Sequence, residues 1–130
     1  MSKKIFFLSC VIILCATSVS AQPDSSNLTK GGVTLIDVFQ VSPETQQKVA
    51  DILIQLSDQL IKNQPGYVSA TIYQSTDGMK VINIGKWKTE DDFQAMLKNS
   101  EITGLIRQAA GLAESFEPSM IVEVYDDRKE

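Results

Sequence analysis

Residues 33–41, Val-Thr-Leu-Ile-Asp-Val-Phe-Gln-Val, are rich in β-branched and apolar side chains and predict a strand. The period then changes. Val49, Leu53, Leu56 and Leu60 recur at spacings of four and three, with Ile52 beside them, which is the apolar stripe of an amphipathic helix. Ser42 as N-cap, Pro43 at the first helical position and Glu44 in the first turn predict its start. Asn63-Gln64-Pro65-Gly66 predicts its end. Strand-like runs return at residues 67–75 and 80–88, separated by Thr76-Asp77-Gly78-Met79, and Asp-Gly is a strong hairpin signal. Thr89-Glu90-Asp91-Asp92 opens a second helix, with Phe93, Met96 and Leu97 on its apolar side. Ser100 is placed to cap a further short helix carrying Ile102, Leu105, Ile106 and Ala109, with Gly111 at its end. A last strand is predicted over 116–125. The order is β-α-β-β-α-β with the second helix in two pieces, an α+β ferredoxin-like arrangement: a four-stranded antiparallel sheet with helices on one face.

The N-terminus follows another rule. Lys3 and Lys4 precede an apolar run from Ile5 to Ala16, and Val19 and Ala21 are the small residues that favour a cut before Gln22. This is the pattern of an export signal over 1–21, with an uncleaved membrane anchor as the alternative; the run is shorter than the roughly 20 residues a spanning helix needs. The expected divisions are then a leader over 22–31, one folded domain over 32–126 and a charged tail over 127–130, with the product periplasmic or secreted. Cys10 and Cys15 both fall inside the signal, so no disulfide framework is predicted. Loss of Lys3 and Lys4 takes the net charge from −4 to −6, which argues against nucleic acid, or a membrane after cleavage, as partner. The chain has no histidine, the commonest metal ligand and general base near neutral pH. No metal site is predicted, and Ser-His-Asp hydrolysis and haem ligation by His drop out.

The hairpin signal also predicts a register. With Asp77-Gly78 as the loop, Ile72 faces Asn83, Ala70 faces Gly85 and Val68 faces Trp87, and these six share one sheet face with Val81. That face is apolar apart from Asn83, so it belongs to the helices. Gly85 has no side chain, and the space above it, between Asn83 and Trp87, is a candidate small pocket. The alternative is that Gly85 marks a bulge and Trp87 is ordinary core. Strand spacing puts the Cα atoms of Asn83 and Trp87 about 13 Å apart, a span for two or three fused rings or a bent strand. The other face carries Ser69, Thr71 and Tyr73 with Ile82, Ile84 and Lys86. A half-apolar sheet face on a small domain predicts a partner sheet, a second copy of the chain, the alternative being a solvated face with a few exposed aliphatics.

Three segments together resemble the antibiotic biosynthesis monooxygenase family: Pro65-Gly66-Tyr67-Val68-Ser69-Ala70-Thr71, the loop residues Asp77-Gly78, and Val81-Ile82-Asn83-Ile84-Gly85-Lys86-Trp87 followed by the acidic helix start from Glu90 to Met96. The characteristic element is Asn-x-x-x-Trp on the third strand, and the likeness extends over about 33–125. The resemblance implies a dimeric α+β barrel whose sheets pack face to face, here through Ser69, Thr71, Tyr73, Ile82 and Ile84. It implies oxidation of a small aromatic, quinol- or anthrone-like molecule by dioxygen, without metal or flavin, so no cofactor is expected. Carried over to this sequence, Asn83 would hydrogen-bond the substrate oxygen or peroxy intermediate and Trp87 would line the pocket and offer its indole N–H. Arg107 would stabilise an anion, its alternative being a solvated helix charge. Phe93, Val68, Ile72 and Met96 would contact the substrate. Phe93 stands where some anthrone oxidases carry a tyrosine, and Tyr73 is expected on the other sheet face. The histidine base of some relatives has no counterpart. The general base is thus missing in this reading, unless the substrate ionises unaided or water serves. The alternative function is non-catalytic small-molecule binding, or a stress-related role, on the same fold.

Overall fold

The computed structural model describes residues 32–122 and 127–129, so the expected signal and leader, and the end of the last expected strand, lie outside the described residues. Its elements are β1 (Val33–Gln40), α1 (Gln46–Gln59), β2 (Tyr67–Gln74), β3 (Lys80–Trp87), α2 (Glu90–Met96), α3 (Ser100–Leu112) and β4 (Ser115–Ile121). A single 3-10 turn, Ile61–Asn63, follows α1. The four strands form one antiparallel sheet in the order β2-β3-β1-β4, with β1 and β3 central.

The element boundaries depart from the pattern in three places. Ser42 does not cap α1 through its side chain; residues 43–45 form a turn, and the Ser42 carbonyl accepts from the Thr45 and Gln46 amides at 3.0 and 2.9 Å. At α3 the cap is Asn99 rather than Ser100: its Oδ1 accepts from Glu101 N at 3.0 Å and Ile102 N at 3.3 Å. Asn binds two of the otherwise orphaned first-turn amides, which a residue one place later cannot reach. Gly111 lies inside the last turn of α3, and the chain leaves the helix at an extended Ala113. Thr89 does cap α2, its Oγ1 accepting from Asp92 N at 3.1 Å.

The hairpin register matches the expectation where it matters most. Ile72 pairs with Asn83 and Ala70 with Gly85. The loop is locked by Asp77, whose carboxylate accepts from Met79 N at 2.9 Å, and by Gly78 at φ +79°. The expected Val68–Trp87 pair is not formed. Gly66, at φ +79°, turns the chain into β2, and its carbonyl accepts from Lys88 N at 2.8 Å. Two residues must then fit opposite one, and a bulge opens between Tyr67 and Ser69. Tyr67 takes the place opposite Trp87, and Val68 is turned out to 53% exposure. The irregularity therefore lies in β2, not at Gly85.

On the helix-covered face the strands form rows. Gln74, Val81, Phe39 and Phe116 make one; Ile72, Asn83, Asp37 and Pro118 the next; Ala70, Gly85, Leu35 and Met120 the third. Two apolar clusters cover them. The first joins Phe39 and Val81 to Val49 and Leu53 of α1 and Ala109 of α3. The second joins Trp87 to Leu56 of α1, Phe93 and Met96 of α2 and Ile102 of α3. The opposite sheet face carries Ile36, Val38, Ile82 and Ile84, all only half-buried, with Tyr73 at 52% exposure. All three helices pack on the other side.

Candidate active site

A polar pair sits between the two clusters. β1 alternates, so Leu35, Asp37 and Phe39 all point toward the helices. Asp37 is the middle one and only 9% exposed. Its cross-strand neighbour is Asn83, whose Nδ2 donates to Asp37 Oδ2 at 3.0 Å. A carboxylate can accept about four hydrogen bonds, so this donor satisfies only a part of its capacity. Asn83 Oδ1 is buried without a hydrogen-bond partner. An unsatisfied buried acceptor costs about 1–3 kcal/mol.

Two residues along β3, Gly85 contributes no side chain to its row. A Cβ placed on Gly85 would meet only Trp87 Nε1, at 3.8 Å. Two residues on, Trp87 is 3% exposed and is held by edge contacts with Tyr67 (centroids 5.9 Å apart) and Phe93 (6.1 Å). The space above Gly85 is a cavity of about 200 Å³ that touches Asn83 and Trp87 together. It exceeds the roughly 150 Å³ of an apolar cavity known to admit benzene. Leu53, Leu56 and Ser57 of α1 form one wall, Phe93 and Met96 of α2 another, and Ile106 of α3 closes over them. A surface groove between α1 and β2 shares Ser57, Tyr67 and Ala70 with the cavity.

Four of the seven expected site residues are brought together here: Asn83, Trp87, Phe93 and Met96. Three are not. Val68 is displaced to the surface by the bulge. Ile72 pairs with Asn83 but lines the outer groove, not the cavity. Arg107 is exposed on α3; Ile106 lines the cavity, and one further residue turns the side chain about 100° away. Tyr73 lies on the opposite sheet face, as expected. Tyr67 enters the lining instead of Val68, a consequence of the bulge that strand pattern alone does not reveal.

The residue the sequence reading passed over is Asp37. The signal was present: alternation places one acid between Leu35 and Phe39 on a face that is otherwise apolar. Among the described residues it is the one carboxylate lining the cavity. Burial raises its carboxyl above the ordinary value of 3.8, while the hydrogen bond from Asn83 works in the opposite direction. A site assembled this way has room for an apolar, ring-sized molecule and places the Asn83 amide and a carboxylate in its wall.

The sequence model of the antibiotic biosynthesis monooxygenase family matches residues 32–108. A stretch of 63 residues is 48% identical to tetracenomycin-F1 monooxygenase of Streptomyces glaucescens, covering 48% of this chain and 56% of that protein. The match thus spans little more than half of the relative's length. Among solved structures, the fold is similar to that of the ActVA-Orf6 monooxygenase of Streptomyces coelicolor, determined in complex with nanaomycin D. That comparison has a TM-score of 0.66 at 23% identity, over 80% of this chain and 97% of the other. SnoaB, a cofactor-independent oxygenase from Streptomyces nogalater, superposes with a TM-score of 0.59 at 20% identity, over 75% of this chain and 97% of its own.

Two outcomes test the geometry. Gly85 has a backbone conformation open to other residues, so Gly85→Val should leave the thermal midpoint within a few degrees while filling the cavity. Binding of naphthoquinone, read by quenching of the single tryptophan, should weaken at least tenfold; unchanged binding would place the ligand elsewhere. The second concerns Asp37. Its raised carboxyl pKa means the folded chain holds that proton more tightly than the unfolded one. The resulting stability is complete below about pH 3.8 and is lost as pH rises through the folded value. Asp37→Asn should therefore melt a few degrees higher than wild type at pH 7, the gap closing in acid; a lower melting point at pH 7 would contradict the assignment.

Proposed function

The chain belongs to the antibiotic biosynthesis monooxygenase family, and we propose that it is a cofactor-independent monooxygenase acting on an aromatic, polyketide-like molecule of quinol or anthrone type. One observation carries this reading: a largely apolar, ring-sized cavity lined by Asn83 and Trp87 together. For an anthrone the reaction converts a ring methylene and dioxygen into a ketone and water. The substrate anion supplies the electrons, so the protein's part is to bind, to exclude water and to stabilise charge. Asn83 has a second Nδ2 hydrogen beyond the one given to Asp37, and Trp87 has its indole N–H. Both are donors for a substrate oxyanion. In an apolar enclosure such donors act with little screening.

The same reading has the open sheet face meet a second copy of the chain through Ser69, Thr71, Tyr73, Ile82 and Ile84. The half-buried aliphatics on that face, left uncovered by the helices, support this. It also has the protein act outside the cytoplasm, on the strength of the signal-like N-terminus; a reaction that draws on no soluble reductant suits that compartment.

Oxygen uptake with a panel of hydroquinones and anthrones tests the chemistry. Turnover above buffer is expected, with Asn83→Ala lowering kcat at least tenfold. Binding in the absence of turnover would favour the non-catalytic alternative. Native mass spectrometry of protein recovered from its own host tests the assembly and the processing together. A dimer of chains beginning at Gln22 is expected, and a monomer, or a chain still carrying residues 1–21, would overturn the corresponding part.

A further inference from the structure

The buried carboxylate supplies the group that the sequence reading lacked. We propose that Asp37 is the general base of the site: its carboxylate takes the proton from a carbon acid flanked by aromatic rings, the methylene of an anthrone-type substrate. The inference rests on the monooxygenase reading for its substrate class, but its chemistry is separable from oxygen.

Three features of the geometry point to this role. Asp37 and Asn83 lie in the same row of the sheet, and both line the cavity. Asp37 engages Asn83 at 3.0 Å through Oδ2, and the carboxylate keeps acceptor capacity beyond that bond. The groups that face Asp37 across the cavity are otherwise uncharged. These are Leu53, Leu56 and Ser57 on α1, Phe93 and Met96 on α2, Ile106 on α3, Trp87 on β3 and Pro118 on β4, with the Tyr67 hydroxyl on β2 the other ionisable group. Among the described residues, no lysine or arginine lines the cavity beside it. An ionised carboxylate in such a place is a stronger base than one in water. The Asn83 amide donates to the ionised form, works against the effect of burial, and orients the carboxylate.

The steps balance. Asp37 accepts one methylene proton, and the C–H electron pair moves into the ring system to give an aryl oxyanion. That anion passes one electron to dioxygen; the two radicals combine to form the C–O bond, leaving a peroxide anion. Protonated Asp37 returns its proton to the distal peroxide oxygen. The carboxylate then removes the remaining hydrogen on the same carbon as the O–O bond breaks. The products are the ketone and hydroxide, which takes the proton from Asp37 and leaves as water. Both hydrogens of the methylene end in that water, and the carboxylate is restored.

The test separates proton removal from oxygenation. Anthrone is incubated with the full mature protein in deuterated buffer without oxygen, and loss of the methylene proton signal is followed by NMR. The wild-type protein should accelerate exchange at least tenfold over buffer, and Asp37→Asn should return it to the buffer rate. Asparagine keeps the shape and can still accept from Asn83 Nδ2, so only the base is removed. If that variant fails to fold, Asp37→Leu provides the same comparison. Exchange that persists in the folded variant would overturn the proposal, as would wild-type exchange no faster than buffer. Exchange by the wild type with no oxygen uptake in air would leave the base in place and sink the monooxygenase reading. Oxygen uptake that survives Asp37→Asn would do the reverse.

Discussion

Everything distinctive in this domain is arranged around one contact: the hydrogen bond from Asn83 Nδ2 to Asp37 Oδ2 between the two central strands. A carboxylate on the helix-covered face of a sheet is costly to bury. Asn83 offsets part of that cost by donating to it, and it can do so only because β1 and β3 pair antiparallel with these two residues directly opposite. A slip of β1 by one residue would send Asp37 to the other face, away from Asn83, and bury Ile36 and Val38 instead. The polar pair is therefore a feature of register as much as of residue type. It leaves a buried polar site incompletely satisfied, which is a property of binding and catalytic sites more than of structural ones.

The cavity follows from how the core divides around that pair. Phe39, Val49, Leu53 and Val81 close one end of the helix–sheet interface. Leu56, Trp87, Phe93 and Met96 close the other. Between them the row beside Asp37 and Asn83 contains Gly85 and Ala70, which have almost no side chain to fill the layer. Close-packed interiors seldom leave such space. Here the walls are held apart by bulky residues on both sides, and Trp87 is fixed by two aromatic edges, so collapse is opposed. The unfilled volume, the unpaired amide oxygen and the carboxylate coincide.

The bulge at the start of β2 connects local backbone conformation to the site. Gly66, in the left-handed region, directs the chain so that Tyr67 rather than Val68 meets Trp87. That exchange removes an aliphatic from the lining and supplies an aromatic with a hydroxyl. It also places Tyr67 where the cavity meets the groove between α1 and β2. A bulge in an edge strand thus helps decide the shape of the cavity's edge.

Most of the architecture was legible in the residue pattern. The βαββαβ order follows from where the period switches between two and 3.6. The pairing of Ile72 with Asn83 and Ala70 with Gly85 follows from the Asp-Gly turn, because a tight turn propagates its register down both strands. Those pairings place Asn83, Gly85 and Trp87 on one face, and the Asn-x-x-x-Trp element brings with it the family resemblance. Phe93 and Met96 were legible as well, being the apolar side of a capped helix. What the pattern could not convey depends on distance between segments far apart in the chain. Val68 was displaced by a bulge that arises from Gly66 and its contact with Lys88. Arg107 was turned outward by the rotation of α3 against the sheet. Asp37 gained its importance only when β1 was set beside β3, 46 residues away in sequence. Periodicity reports which face a side chain takes. Which opposing side chains it meets there, and whether they leave room for a ligand, is decided by how strands and helices from the whole chain pack together.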